Sequence, residues 1–206
     1  MDRLVMARQL GAEIAARDVR LWGLDGYTVS YPVPIGRYML LSGLQYERTA
    51  LWRHRRTAGV LYGDTIITSG GIGPCETRFT VAHEIGHRRV GAYNLPLLEG
   101  KEMEVAADAY AGALLVPPEV MLRLFRMRGL YLSMPLLPVD LVDMYDDIVE
   151  LAHSRGTWRN FKVSTNVLVI ALADAGLIDG EAPYTSHWSL IQYVNRVWYG
   201  RVAFAK

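Results

Sequence analysis

The chain has 206 residues, of which 51% are hydrophobic, and a formal net charge of +1. This length accommodates one sizeable hydrophobic core, or one domain with a small added subdomain. The near-neutral charge argues against a general nucleic-acid coat and against electrostatic docking on a membrane. Because Cys75 is the only cysteine, an internal disulfide framework is excluded.

The N-terminal segment predicts a helix and carries no export signal. It lacks the continuous apolar stretch of a signal peptide, so we expect a cytoplasmic protein without a membrane partner. Apolar residues recur at helical spacing over residues 3–19, which predicts a helix that packs on the core. Residues 26–32 alternate and end at Pro32, as an edge strand does. Residues 35–50 fit either a strand or the start of a helix.

Residues 58–69 predict a pair of short strands. Two short stretches, the second rich in β-branched residues, flank Gly63 and Asp64, which are typical turn residues. A glycine-rich run from Gly70 to Pro74 then ends the sheet. It lacks the spacing and the following Lys-Ser/Thr of a phosphate-binding loop, so we expect it to lead directly into a helix.

That helix contains His83-Glu84-Ile85-Gly86-His87, an HExxH motif. Side chains four residues apart lie on the same helix face, so His83 and His87 can bind one metal ion together. Zinc accepts imidazole nitrogens, and a catalytic zinc keeps one coordination position open for water. Glu84 leans toward that position, where it can take a proton from the water. The alternative interpretation is a surface helix with two solvated histidines.

A zinc ion held by two histidines needs a third protein ligand. The Ala- and Leu-rich stretch before Pro117 predicts a buried helix, in which an unpaired carboxylate is costly. Glu104 and Asp108 share one face of this helix. This predicts Glu104 as the third ligand and Asp108 as the acceptor of an N–H from a ligand histidine. Glu102 is the competing ligand; alternatively, both carboxylates lie on a solvated face.

The surroundings of the motif offer further candidates. In zinc peptidases a strand beside the active helix commonly binds the substrate backbone along its edge, and Thr65–Thr68 is the expected edge. Cys75 is expected to be an inert small side chain rather than a fourth zinc ligand. The residue that stabilises the oxyanion stays open among four candidates, which are Tyr93, Tyr110, His153 and His187.

The C-terminal part predicts mainly helices. Residues 119–138 favour a lid or core segment, and residues 138–153 predict an acidic amphipathic helix with a solvated face. Residues 158–178 predict a helix-turn-helix-like unit. Its second helix, Thr165 to Ala175, contains no Lys or Arg, which disfavours direct DNA binding. The function of the aromatic tail, residues 184–204, is not indicated.

Two segments resemble the ImmA/IrrE-type metallopeptidases. Residues 78–87 (RFTVAHEIGH) are similar to the family pattern RFTxAHExGH, and residues 104–117 (EVAADAYAGALLVP) to ExxAN-x-FA-x-x-LLMP. Residues 161–178 resemble the family's later F-x-VS…LGLI segment. Asp108 stands where the family usually has Asn, and Arg88-Arg89 replace residues that are usually apolar.

The resemblance implies a zinc endopeptidase that cleaves a helix-turn-helix transcriptional repressor and so relieves repression of a stress or mobile-element regulon. The expected fold is α+β. A minimal zincin-like domain spans residues 1–118, a helical connector or lid 119–157, and a helix-turn-helix-like unit with the tail 158–206. The alternative is a non-catalytic, zinc-containing regulator that binds a repressor or DNA through the C-terminal unit. A zinc amidase that acts on a non-peptide bond is a third hypothesis.

Overall fold

The computed structural model describes residues 2–23, 33–49, 58–93, 98–127 and 163–177. These residues form a mixed α+β structure with one small sheet and several helices. In chain order the elements are α1 (Arg3–Leu21), α2 (Ile35–Leu41), β1 (Gln45–Thr49), β2 (Gly59–Tyr62), β3 (Thr65–Ser69), α3 (Pro74–Gly91), α4 (Lys101–Leu115), α5 (Pro118–Met127) and α6 (Thr165–Asp174).

The sheet has three strands in the order β1-β3-β2. β2 and β3 are antiparallel and turn at Gly63, whose φ of 59° suits a residue without a Cβ atom, so the predicted hairpin is confirmed. β1 runs parallel to β3 on its other side. The expectation that Thr65–Thr68 forms the free edge is therefore wrong, because those residues lie in the central strand. Among the described strands, β2 and β1 are the edges.

The N-terminal predictions can be compared with α1, α2 and β1. α1 confirms the predicted helix, and the Asp2 side chain caps it by accepting a hydrogen bond from the Leu4 N–H. The ambiguous stretch contains both kinds of element, because α2 ends at Leu41 and β1 begins at Gln45. The strand predicted over residues 26–32 lies outside the described residues.

α4 is the central helix, and α1, α3 and α6 pack around it. Small residues allow these close approaches. A Cβ atom on Gly11 of α1 would lie 2.0 Å from the Ala106 carbonyl oxygen of α4. A Cβ atom on Gly86 of α3 would lie 3.0 Å from the carbonyl oxygen of Ala107. Gly86, inside the HExxH motif, thus brings α3 directly onto α4.

A buried charged group ties the same helices together. Asp18 of α1 is fully buried and accepts hydrogen bonds from Arg89 of α3 and from the Tyr110 hydroxyl of α4. The Arg89 guanidinium also lies over the Trp22 ring, 5.3 Å from its centroid. The ion pair with Asp18 explains why an arginine follows the HExxH motif, because Arg89 supplies the positive charge that a buried carboxylate requires.

α6 packs on the same hydrophobic core as α1, α3 and α4, through Leu168, Ala171 and Leu172. Its N-cap is Ser164, as expected, with the hydroxyl accepting from the Val167 N–H. Only residues 163–177 of the predicted helix-turn-helix-like unit are described. Most of the predicted lid, the acidic helix and the aromatic tail lie outside the described residues.

One described helical stretch, Lys101–Leu122, is long and apolar enough to cross a membrane. Of its most apolar window, 72% is buried inside the structure. Core helices have the same length and composition, and this stretch contains α4, around which the other helices pack.

Candidate metal centre

α3 and α4 present the candidate ligands. α3 begins after Gly73 with Pro74 in its first turn, where the missing proline N–H has no helical partner to lose. It continues without interruption to Gly91, so His83 and His87 lie one turn apart on the same face. α4 packs against that face through the close contact at Gly86. Glu104 and Asp108, also one turn apart, thereby come opposite the histidines.

The ligand atoms of His83, His87 and Glu104 all lie within 4.8 Å of one another. The two Nε2 atoms are 2.9 Å apart. One Glu104 oxygen lies 3.3 Å from His83 Nε2, and the other lies 3.4 Å from His87 Nε2. A metal ion needs about 2.0–2.2 Å to each such ligand, and three atoms at these separations can all reach one ion. The three residues are therefore placed so that they could hold a metal ion.

Asp108 fixes the orientation of the first histidine. Its Oδ1 lies 2.8 Å from His83 Nδ1, and a carboxylate can only accept there, so Nδ1 carries a proton. In the neutral ring, Nε2 then presents its lone pair toward His87 and Glu104. The two Nε2 atoms and a Glu104 oxygen thus converge on one point, where all three can donate electron pairs to a cation once His87 Nε2 is unprotonated.

Both carboxylates differ from expectation in their burial. α4 is buried along most of its length, but the side chains of Glu104 and Asp108 are 61% and 53% exposed. They project from the core helix into an open cleft. The cost of burying a charge therefore does not explain their positions, and their mutual geometry with the histidines does.

Glu84 has a different environment from the ligand residues. It is 7% exposed, and burial raises its pKa, with a further increase from the negative charge of Glu104. The nearby His83 and a hydrogen bond from the Leu61 backbone act in the opposite direction. A carboxylate with a raised pKa beside a metal site is suited to accepting and returning a proton.

The two histidines have opposite pKa shifts. Burial lowers the pKa of His87, and the nearby His83 lowers it further. Burial also opposes charging of His83, but the hydrogen bond and charge of Asp108, together with the charges of Glu84 and Glu104, raise its pKa overall. Metal binding requires neutral imidazole, so His87 is the more readily available ligand.

The centre lies in a cleft of about 790 Å³. α3 and α4 form one side, and Ala58 with β2 forms the other. β2 comes close to α3 because Gly59 has no side chain: a Cβ atom there would lie 2.4 Å from the Thr80 Cγ2. The sequence analysis expected Thr65–Thr68, which lies in β3, to border the cleft, and it missed β2. The glycine at position 59 was the available signal, since an isolated glycine in a strand often marks a close approach.

The remaining predicted residues have other positions. The Glu102 carboxylate pairs with Arg3 of α1 at 2.8 Å and is not part of the ligand cluster. Cys75 is also outside that cluster. Tyr110 is a poor oxyanion candidate, because its buried hydroxyl donates to Asp18. The Tyr93 ring lies against Arg17 and does not line the cleft. His153 and His187 lie outside the described residues.

No protein-family model matches this sequence, and no curated protein matches it. The geometry and chemistry of the centre are therefore the basis for assigning a function.

Proposed function

We propose that this protein is a cytoplasmic zinc endopeptidase of minimal zincin architecture, similar to the ImmA/IrrE-type enzymes. One observation carries the proposal. His83, His87 and Glu104 direct three electron-pair donors at one point of a cleft, and the buried carboxylate of Glu84 lies in the same cleft. The first three residues make a ligand set, and Glu84 adds the base that a hydrolytic site requires.

The chemistry of the donors favours zinc. Two imidazole nitrogens and one carboxylate form a known catalytic zinc set, whereas calcium and magnesium prefer sites made of oxygen alone. Asp108 adds the carboxylate–histidine contact that commonly orients a zinc ligand. The open cleft around Glu104 leaves room for a water molecule and a substrate beside the three ligands.

When bound, zinc would polarise the scissile carbonyl and lower the pKa of a water molecule. Glu84 would accept a proton from the attacking water molecule and return it to the leaving amine. Burial raises the pKa of Glu84, which makes its carboxylate a better proton acceptor in the first step. The Leu61 N–H, bonded to this carboxylate, holds it in place between the two transfers.

The edge strand β2 is the surface for the substrate backbone. In its pairing with β3, Ala58 accepts from the Ser69 N–H, so alternation of the ladder directs the backbone groups of Gly59 and Leu61 away from β3. The Leu61 N–H is bonded to Glu84, which leaves the Gly59 backbone groups and the Leu61 carbonyl for a peptide. None of the described strands pairs with that side of β2. An extended peptide added there would pass along the cleft beside the ligand cluster.

The proposed substrate is a helix-turn-helix repressor, and its cleavage would release a stress or mobile-element regulon. The alternative is a regulator that uses zinc structurally and binds a repressor or DNA through its C-terminal unit. A structural site needs no buried base, and in the described part of that unit α6 packs on the core and contains no Lys or Arg. Catalysis is therefore the better supported function.

The proposal is tested by co-expressing the chain with the repressor encoded beside its gene. We expect one cut in the repressor, and Glu84→Gln should lower its rate by about 10²–10⁴-fold, since that is the usual contribution of a general base. Glu76→Gln is the matched control, because Glu76 lies on the same helix and lines the same cleft outside the ligand cluster. Cleavage by the Glu84→Gln variant at the parent rate would contradict the proposal.

A further inference from the structure

A second, smaller pocket opens beside the metal centre. It has a volume of about 290 Å³ and lies among α1, α3, α4 and α6. Phe79 and Asp108 line both this side pocket and the main cleft. The other residues that line the side pocket are Arg8, Gly112, Asn166, Val167 and Ile170.

The side pocket lies one side chain away from the ligand cluster. The Phe79 ring centroid is 6.3 Å from that of His83, and Asp108 is hydrogen-bonded to the same histidine. A peptide that placed its scissile bond at the cluster would therefore carry a neighbouring side chain past this opening. Continuity with the cleft makes a substrate side chain the natural occupant.

We propose that the side pocket selects a large apolar side chain next to the scissile bond, and that Val167 and Ile170 of α6 set its size. The proposal rests on the proposed endopeptidase function and adds a substrate preference to it. It also assigns a role to α6, which does not contribute a ligand.

Size and lining support this occupant. A volume of 290 Å³ corresponds to roughly ten water molecules, which is enough room for a large aromatic side chain. Phe79, Val167 and Ile170 supply apolar walls, and Gly112 leaves space because it has no side chain. Burying such a residue there would favour its binding, because it removes apolar surface from water. Small residues would leave the pocket unfilled.

The position of α6 is held by polar and apolar contacts. Arg8 of α1 binds Asp174 at the end of α6, with distances of 3.0 and 2.9 Å to its two oxygens. Ala171 packs at Gly112 of α4, where a Cβ atom would lie 3.6 Å from the Ala171 Cβ. The wall of the side pocket is therefore fixed to the two helices behind it, so a change at position 167 or 170 alters the pocket itself.

The first test uses indole alone and does not depend on catalysis. Indole is titrated into the zinc-loaded full-length chain, and backbone amide resonances are followed by NMR. We expect shifts at Gly112, Val167 and Ile170, and Val167→Trp should weaken indole binding at least tenfold by filling the pocket. Val163→Ala is the control, because Val163 is near α6 but does not line the pocket. Failure of indole to shift these resonances in the parent would overturn the proposal.

The second test measures kcat/KM on two peptides that differ only in Phe or Ala next to the cut. A pocket that distinguishes side chains by one or more methylene groups gives about 10–200-fold discrimination, so the parent should prefer Phe at least tenfold. Val167→Trp should abolish that preference, and Ile170→Ala should lower it, because Phe would no longer fill the enlarged pocket. The second variant keeps the test decisive if a thermal melt shows that Val167→Trp is unfolded.

The outcomes separate this proposal from the proposed function. Equal rates on both peptides, or a preference unchanged by both variants, would overturn the size selection while leaving the endopeptidase intact. Indole binding without cleavage of any peptide would overturn the endopeptidase, and with it the peptide side chain as occupant. Indole binding together with the expected changes in preference would support both.

Discussion

The same two helices carry two polar clusters with opposite properties. On one side of α3 and α4, Arg89 and Tyr110 satisfy the buried carboxylate of Asp18. On the other side, His83, His87 and Glu104 converge on one point in an open cleft. The interior cluster contains one negative and one positive group, and the hydroxyl donates as well. The cleft cluster contains two imidazoles and a carboxylate that converge on one point, with no Lys or Arg in the cluster.

This difference separates a structural cluster from a candidate functional one. A buried group is stable when each donor meets an acceptor, and the Asp18 cluster meets that condition. Converging lone pairs repel unless a proton or a cation lies between them, so the cleft cluster gains most from an added positive ion. Its position in the open cleft also gives solvent and substrate access to it, which the interior cluster lacks.

The largest effect is expected from removing a ligand of the cleft cluster. Chain purified without added metal should contain about one zinc ion, as a single catalytic site does, and Glu104→Ala, His83→Ala or His87→Ala should lose it. Glu102→Ala is the matched control, because that carboxylate pairs with Arg3 instead. Elemental analysis measures the zinc content. Retention of zinc by Glu104→Ala together with its loss from Glu102→Ala would place the ligand two residues earlier.

The interior cluster is tested by Arg89→Ala. This substitution leaves the fully buried Asp18 without its cation, and breaking a buried pair in this way costs about 3–5 kcal/mol of unfolding free energy. Denaturant unfolding measures this loss of stability. Under conditions in which the Arg89→Ala variant is folded, it should still bind zinc. A loss of zinc without a loss of stability would contradict the division into two clusters.

Arg88→Ala is the control for that experiment. Arg88 is the neighbouring arginine, and its guanidinium pairs with Asp64 at 3.0 Å on the surface. Exposed pairs of this kind contribute about 0–1 kcal/mol, so the variant should unfold close to the parent. Equal destabilisation by both substitutions would show that Asp18 does not need Arg89.

Features that depend on local spacing could be predicted from the sequence. The α1 helix follows from its apolar period, and the β2–β3 hairpin follows from its turn residues. The closeness of His83 to His87, and of Glu104 to Asp108, follows from the helical repeat alone. The pairing of the two helices with each other was a prediction from zinc chemistry, and the structure brings these residues together. Their catalytic roles stay predictions.

Features that depend on distant parts of the chain could not be predicted in the same way. β3 is the central strand because β1 pairs with it. The sequence of Thr65–Thr68 contains no pattern from which that pairing could be predicted. Asp18 and Arg89 are 71 residues apart and each is typical of a surface charge. The exposure of Glu104 could not be predicted, because the apolar composition of α4 does not show which of its faces borders a cleft.

The smallest effect tests the contact that links α4 to the first histidine. Asp108→Ala removes the acceptor of the His83 Nδ1–H and keeps all three ligands. Loss of such an orienting partner typically lowers metal affinity or activity by about 10–100-fold. Zinc titration with a competing chelator measures the affinity.

Asp108→Asn completes this test, because its amide oxygen can still accept the hydrogen bond from His83. It removes the negative charge that raises the pKa of His83, so the two variants separate orientation from charge. If orientation dominates, Asp108→Asn should bind zinc nearly as tightly as the parent, while Asp108→Ala binds it more weakly. Equal losses in both variants would assign the effect to charge. Unchanged affinity in Asp108→Ala would show that the 2.8 Å contact does not orient a ligand, and Asp108 would then belong with the surface carboxylates.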